Sequence, residues 1–374
     1  MSLRNLKLIF FRLLALSVVL CVGACQPQPA PPPTSTVLPT LVPNVILNTP
    51  PPPPQPSVPV EQPVRLLPLS GPLQVPLAEL SGLAWFGDTL ILLPQYPERF
   101  IQPGAPDSFG AVFAIPKTEL LAYLSGQTNA PFNPRPVPLI APDLKQKISG
   151  YEGFESIVFA GNRVYLTVET HQTGGMLALL LRGEMAPDLS KLTLDAAHLA
   201  PISAQTPVPN FSDEAITLVN NQVVTFYEGN GARVTPHPVA HVFDLDLSAR
   251  GMVISPSLEY RITDATPTGS DGRFWVINYF YPGDTQIAPP GGDPLFERYG
   301  IPPSHSHSKA VERLVQLQWD PKTISLVARS PLYLQLLPDG TARNWEGLAQ
   351  LDELGFLLVT DSFPSTLFGF VPFP

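Results

Sequence analysis

Residues 151–169 read YEGFESIVFAGNRVYLTVE, and this stretch decides the fold because four others repeat its plan. Each copy runs from an acidic or hydroxyl residue through a small residue, an apolar run and a turn to a second apolar run. In the opening stretch the leading residue is Glu155; the other copies lead from Ser81 (SGLAWFGDTLILLPQ), Glu214 (EAITLVNNQVVTFYE), Asp264 (DATPTGSDGRFWVIN) and Glu346 (EGLAQLDELGFLLVT). The interval to the end of the second run never changes: 81 to 95, 155 to 169, 214 to 228, 264 to 278 and 346 to 360. Short β-branched and aromatic runs flanking a Gly or Asn turn signal β-hairpins. A hairpin cannot bury both faces alone, so repeats of one imply a stacked or radial β architecture.

The intervals between copies leave room for two more strands each, and four strands per unit describe a propeller blade. Further strands read at 110–115, 176–181, 241–247, 252–260, 311–319 and 324–330, with one short helix at 117–124. The last unit has a single strand left after its hairpin, within 366–373, and the segment 65–77 is free to complete it. The expectation is an all-β, five-bladed propeller closed by its N-terminal strand, with six blades as the alternative.

In a propeller the first strand of each blade lines a crowded axis, which accounts for the small second residue. Ser81, Glu155, Glu214, Asp264 and Glu346 then meet at one level around that axis. Carboxylates crowded there must take up protons or a cation. An all-oxygen donor set points to a hard cation, Ca2+ rather than Zn2+. The returning strands bring Gln95, Asn278 and Asp361 to the same mouth, with Glu169 and Glu228 as candidate proton acceptors. Loops just beyond carry Arg99, His171, Asn230, Arg233 and Lys309, cations and amides suited to a small anionic ligand.

Ahead of the repeats, residues 1–25 form a targeting segment: Arg4, Lys7 and Arg12, then an apolar run too short to span a bilayer. It ends in Val22-Gly23-Ala24-Cys25, which resembles the bacterial lipobox, and that resemblance implies acylation of Cys25 and a membrane-anchored, extracytoplasmic protein of the cell envelope. Residues 26–64 hold the run 50–54 of consecutive prolines and one charged residue, Glu61, a composition that makes a disordered spacer. The propeller domain is placed at 65–374. With Cys21 removed and Cys25 acylated, the domain has no thiol for a disulfide or a metal.

The long interruption at 280–308, rich in Pro and Gly, is expected to cover part of one face. Its His305 and His307 read as solvated side chains before zinc ligands. A net charge of −9 with 22 basic residues argues against a nucleic-acid partner, and nothing in the sequence calls for more than a monomer. Gly-x-Ser-x-Gly, His-Glu-x-x-His and phosphate-loop motifs are missing from the sequence. Metal-assisted hydrolysis is the catalytic class that fits, and a non-catalytic ligand- or partner-binding propeller is the alternative.

Two family resemblances attach to these residues. The ordered set Ser81, Glu155, Glu214, Asp264, Glu346 resembles the channel ring of calcium-activated nucleotidases of the apyrase type, which implies an axial Ca2+ and hydrolysis of phosphate anhydrides. Trp345-Glu346-Gly347-Leu348-Ala349 with Leu357-Leu358-Val359-Thr360-Asp361, and Ser81-Gly82-Leu83-Ala84, resemble the "esterase-like activity of phytase" propellers, implying phosphate-ester hydrolysis.

Overall fold

The computed structural model describes residues 58–101 and 108–374. The signal segment, Cys25 and nearly all of the Pro-rich spacer lie outside the described residues. Five four-stranded antiparallel sheets follow one another. Blade 1 is Leu80–Phe86, Thr89–Pro94, Gly110–Pro116 and Arg135–Ile140. Blade 2 is Tyr151–Ala160, Arg163–Gln172, Gly175–Met185 and Leu192–Ser203. Blade 3 is Asp213–Val219, Gln222–Tyr227, Val239–Asp244 and Ala249–Ile254. Blade 4 is Tyr260–Ala265, Arg273–Phe280, Val311–Asp320 and Thr323–Leu326. Blade 5 is Trp345–Leu351, Gly355–Thr360, Phe368–Pro372 and, as its outermost strand, Arg65–Leu66.

The first strands of the five blades pack in sequence, and Trp345–Leu351 returns to lie against Leu80–Phe86. That closure makes a five-bladed β-propeller and disposes of the six-bladed alternative. The reason the second strands read as unbroken apolar runs follows from it. Alternate residues of a strand point to opposite faces, and both faces of every blade meet a neighbour. Leu90 and Leu92 pack with Leu357 and Val359 of blade 5, whereas Ile91 and Leu93 pack with Phe154 and Leu166 of blade 2. Trp275 and Ile277 likewise face blade 5 while Phe274 and Val276 face blade 3. Val158 and Tyr165 meet Ile216 and Phe243 across the boundary of blades 2 and 3. Five apolar layers, one per boundary, form the core.

At the axis the backbones close on one another. A Cβ at Gly347 would stand 3.0 Å from the carbonyl carbon of Gly82, so only a glycine fits where blade 5 meets blade 1. Hydroxyls fasten the remaining boundaries. Ser81 Oγ donates to Phe154 O of the next blade at 2.7 Å, Ser156 Oγ to Glu214 O, Thr217 Oγ1 to Thr266 O at 2.7 Å, and Thr263 Oγ1 to Trp345 O at 2.6 Å. Thr263→Val keeps the shape of a fully buried side chain and deletes one of these bonds. The expected cost is about 1–3 kcal/mol, read as a lower denaturant midpoint with an unchanged slope. An unmoved midpoint would mean that packing alone holds the ring.

The short helix Lys117–Leu124 falls where the sequence places it. The fourth strands of blades 1 and 2 escape the sequence reading, because Arg135–Ile140 carries two prolines, Pro136 and Pro138. Proline is tolerated near a sheet's outer edge, and there its strand signal is lost. The folded domain also begins earlier than residue 65: Glu61–Gln62 pairs in parallel with Tyr333 and Leu334. Glu61 accepts hydrogen bonds from Ser304 N at 3.0 Å and Ser304 Oγ, and its Oε1 lies 2.8 Å from His305 Nδ1. His305 is therefore neither solvated nor poised for zinc. It is a buried core histidine whose Nε2 accepts from Glu312 N, and burial holds its pKa below the usual imidazole range. Among the described residues, no helix is long and apolar enough to cross a membrane.

The interruption at 280–308 is fastened to blade 4 by carboxylates. Asp284 takes the Arg261 guanidinium, with Arg261 Nε at 2.7 Å from Oδ2. Asp293 caps the helix Pro294–Tyr299 and receives Arg313 Nη1 at 2.7 Å. Glu259 accepts from Gly291 N at 2.8 Å. Burying these ions is tolerable because each meets an opposite charge or several donors.

Candidate functional site

The repeat has a structural meaning that its sequence hides. In every blade the pairing of first and second strands slips by one residue at the same level. The extra residue is Ser81 between the pairs Leu80–Pro94 and Gly82–Leu93, Glu155 between Phe154–Val168 and Ser156–Thr167, and Glu214 between Asp213–Tyr227 and Ala215–Phe226. In blade 5 it is Glu346, between Trp345–Thr360 and Gly347–Val359, and in blade 4 Thr263 and Asp264 together stand between Ile262–Asn278 and Ala265–Val276. A β-bulge re-aims the side chain it carries. Here five bulges ring one axis.

The five leading residues do not share one fate, and the reason is reach. Ser81 spends its hydroxyl on the Phe154 carbonyl. Asp264 is one methylene shorter than Glu, and its two oxygens are taken by Ala265 N at 2.8 Å and Leu348 N at 2.7 Å. Both belong to the inter-blade fastening, and the expected ring of five oxygen donors reduces to Glu155, Glu214 and Glu346. These three are buried to within a few per cent and interact electrostatically with one another and with Glu169, Glu228 and Asp361.

Six carboxyl groups thus crowd the mouth, and each has its pKa raised. Burial is the largest cause throughout. For Glu155, the Glu169 charge adds to it, opposed by the hydrogen bond that Gln95 Nε2 donates to Oε1 at 3.0 Å. For Glu214 and Glu346, the neighbouring carboxylates reinforce burial and hold both well above the carboxylate range. Glu169 is raised too: burial and the Glu152 charge push it up, against the Arg261 charge. Glu228 reaches about 7, because burial outweighs the Arg261 charge beside it. Glu214 Oε2 and Glu228 Oε2 are buried and accept no hydrogen bond. Asp361, at the rim, is raised by burial against the amide of Phe363.

Arg261 is the cation within this cluster. It is gripped by Glu228 and Asp284, and its guanidinium carbon lies 4.7 Å from the centre of the Phe211 ring. The sequence reading passed over it. It sits two residues before Thr263 in a strand of otherwise apolar character, YRITDA, and an arginine there is the anomaly that could have marked it.

The other expected ligand-facing residues scatter. Arg99 pairs with Glu79 Oε2 at 2.6 Å and lies over the Tyr96 ring. Asn230 is buried and accepts from Leu258 N at 2.9 Å. Asn278 is buried too, donating to the carbonyls of Glu259 and Arg261 and accepting from Arg313 Nε at 2.8 Å. Arg233 and Lys309 are exposed. His171 is exposed beyond Glu169 on the same strand. The mouth therefore offers carboxyls and amides, while Arg261 and Arg99 are already paired with carboxylates. Among the described residues these two cations are committed to carboxylates, and the expectation of phosphate chemistry finds no support in this arrangement. Among the described residues, no three His, Cys, Asp or Glu side chains are grouped so as to hold a metal ion.

No family model matches the chain, and no curated protein matches it. Solved structures similar to it include a putative glycoside hydrolase from Bacteroides ovatus, at a TM-score of 0.47 and 12% identity over 80% of this chain and 88% of that one. A putative glycoside hydrolase from Parabacteroides distasonis gives 0.46 and 11% over 84% and 97%. The catalytic domain of an α-L-arabinofuranosidase from Coprinopsis cinerea gives 0.44 and 10% over 83% and 96%. These stand where the hairpin motifs suggested apyrase- and phytase-type proteins, and that resemblance is withdrawn. At such identities no family is shown, and it is the chain's own strand order that makes it a five-bladed β-propeller.

Proposed function

We propose that the mouth of the channel is the active site of a hydrolase that cleaves glycosidic bonds in a neutral carbohydrate. The supporting observation is the pair Glu155 and Glu169, brought together by the pairing of the first two strands of blade 2, two carboxyls in unequal surroundings. Glycoside hydrolysis needs one carboxyl that stays protonated near neutral pH and a second that ionises beside it. Glu155, opposed by Glu169, Glu228 and Asp361, suits the proton donor. Glu169, with the Arg261 charge nearby, suits the base or nucleophile. Glu228 keeps Arg261 in place and acts through it. A neutral polyol matches a mouth of hydrogen-bonding carboxyls whose buried cation, Arg261, is already paired.

The test is a panel of aryl glycosides and neutral oligosaccharides incubated with the purified domain, with phosphate esters as controls. Turnover of at least one glycoside and of no phosphate ester is expected. A protein that binds a sugar without cleaving any would favour the non-catalytic alternative.

Ca2+ remains part of the proposal in a structural capacity, favoured by the two buried oxygens without donors on Glu214 and Glu228. Those residues with Glu346 would hold it once drawn closer together than they stand here, and its charge would offset theirs. Added Ca2+ should then raise Tm more at pH 8 than at pH 5, since protons compete for the same oxygens. Glu214→Ala should abolish that rise. A wild-type Tm indifferent to Ca2+ at both pH values would remove the ion from the proposal and leave the carboxyl pair untouched. Acylation of Cys25 would hold such a monomeric enzyme at an extracytoplasmic membrane surface.

A further inference from the structure

Beside the carboxyl mouth lies a cleft of about 820 Å³, walled on one side by residues 171–177 of blade 2 and on the other by 203–210, the run into blade 3. Both walls lead directly to the proposed catalytic pair. His171 follows Glu169 by two positions on one strand, hence on the same face of the sheet. Asn210 precedes Phe211 and Ser212, the ring beneath Arg261 and the hydroxyl beside Glu169. Among the described residues, the lining contains no Lys, Arg, Asp or Glu. Its polar groups are imidazole, amides and hydroxyls, set among Met176, Pro207 and Pro209.

We infer that this cleft is a chain-binding subsite for a linear neutral oligosaccharide whose scissile bond lies at Glu155 and Glu169. The inference rests on the hydrolase reading above and extends it from a bond type to a substrate class. Three properties carry it. A cleft of this size accepts a ligand of drug size, on the order of two sugar rings, so a single sugar would leave it largely empty. The lack of ionised side chains leaves nothing to neutralise an anionic ligand, and burying an unpaired charge there would be costly. Sugars present both hydroxyls and apolar C–H faces, and the lining supplies partners for each: His171 and Asn210 for hydroxyls, Met176 and the two prolines for C–H faces.

Gly174 gives a clean way to fill the cleft. Its backbone is not in the left-handed region, and an added Cβ would meet nothing within 4 Å, so Gly174→Trp adds bulk to the lining without strain. The experiment compares kcat/KM for an aryl monoglycoside of the panel with that for the matching linear tetrasaccharide, in wild type and Gly174→Trp. The wild type should prefer the tetrasaccharide, and the variant should lose that preference by about tenfold or more, through KM. Equal effects on both substrates, or none on either, would overturn the subsite. Should the panel show no turnover at all, the hydrolase reading falls by itself, and the cleft is judged by native electrophoresis through gels cast with soluble neutral polysaccharides. Retardation of wild type that is lost in Gly174→Trp would support the subsite; no retardation in any gel would overturn it.

Discussion

Replacing Glu155 by Gln is expected to lower glycoside turnover by roughly 10²–10⁴-fold, the range for removing a positioned proton donor, without loosening the fold. The amide fills the same volume, can still accept the hydrogen bond from Gln95 Nε2, and ends the repulsion that Glu155 exerts on Glu169, Glu228 and Asp361. A residue that serves only to fill the channel would behave differently: its loss would leave turnover within a few-fold of wild type. The pH profile separates the two further. If Glu155 must carry a proton, activity of the wild type declines on the alkaline side as that proton leaves, and the residual rate of Glu155→Gln lacks that limb. Glu346→Gln is the matched control, since it alters the same ring without removing the donor next to Glu169. Full activity in Glu155→Gln would sink the assignment of the catalytic pair.

The second large effect is on stability. The domain should become less stable as pH rises from about 5 to 8, with a fall in Tm on the order of 5–10 °C. The sign follows from linkage. A carboxyl whose pKa is raised on folding binds its proton more tightly in the native state than in the unfolded chain. The resulting stabilisation, relative to alkaline pH, is complete below the ordinary carboxylate value of 4.5 and is lost as pH climbs through the folded value, about 7 for Glu228. Glu155, Glu214 and Glu346 are also raised well above the carboxylate range and act in the same sense. Glu61, lowered by Ser304 and His305 despite its partial burial, works in the opposite sense and weakens the fold only as pH falls towards the carboxylate range. Thermal melts across this pH range in chelator decide the matter. A Tm that rises steadily to pH 8 would mean that the ring is solvated well enough to ionise freely.

Much of the architecture could be read from the chain because the bulge leaves a signature. Each leading residue is followed by Gly, Ser or Ala, since the axis has no space for more, and by two strands buried on both faces. The order of blades, the closure by the N-terminal strand and the helix at 117–124 all follow from that pattern. Pro136 and Pro138 masked one outer strand, and Glu61 sat in a proline-rich context that concealed its partners across the sequence. At the site, the pattern identified which residues bulge but not which keep a free side chain. Ser81 and Asp264 are of the right type in the right place, and backbone groups of adjacent blades claim them. Arg261 lay outside the repeat as it was framed, and the cleft beside Glu169 depends on a run, 203–210, with no periodicity of its own.

The two-residue strand that seals the fifth blade is also where the chain enters the domain, and just ahead of it Glu61 grips Ser304 and His305 while Gln62 pairs with Leu334. A pull on the chain from upstream would therefore reach the Glu61 anchorage first, and only after that gave way would load pass to the seam at Arg65 and Leu66. Placed in this order, the anchorage works as a strain relief: a protein moored by its N-terminus could be tugged by flow or by a bound polymer without its ring being unzipped.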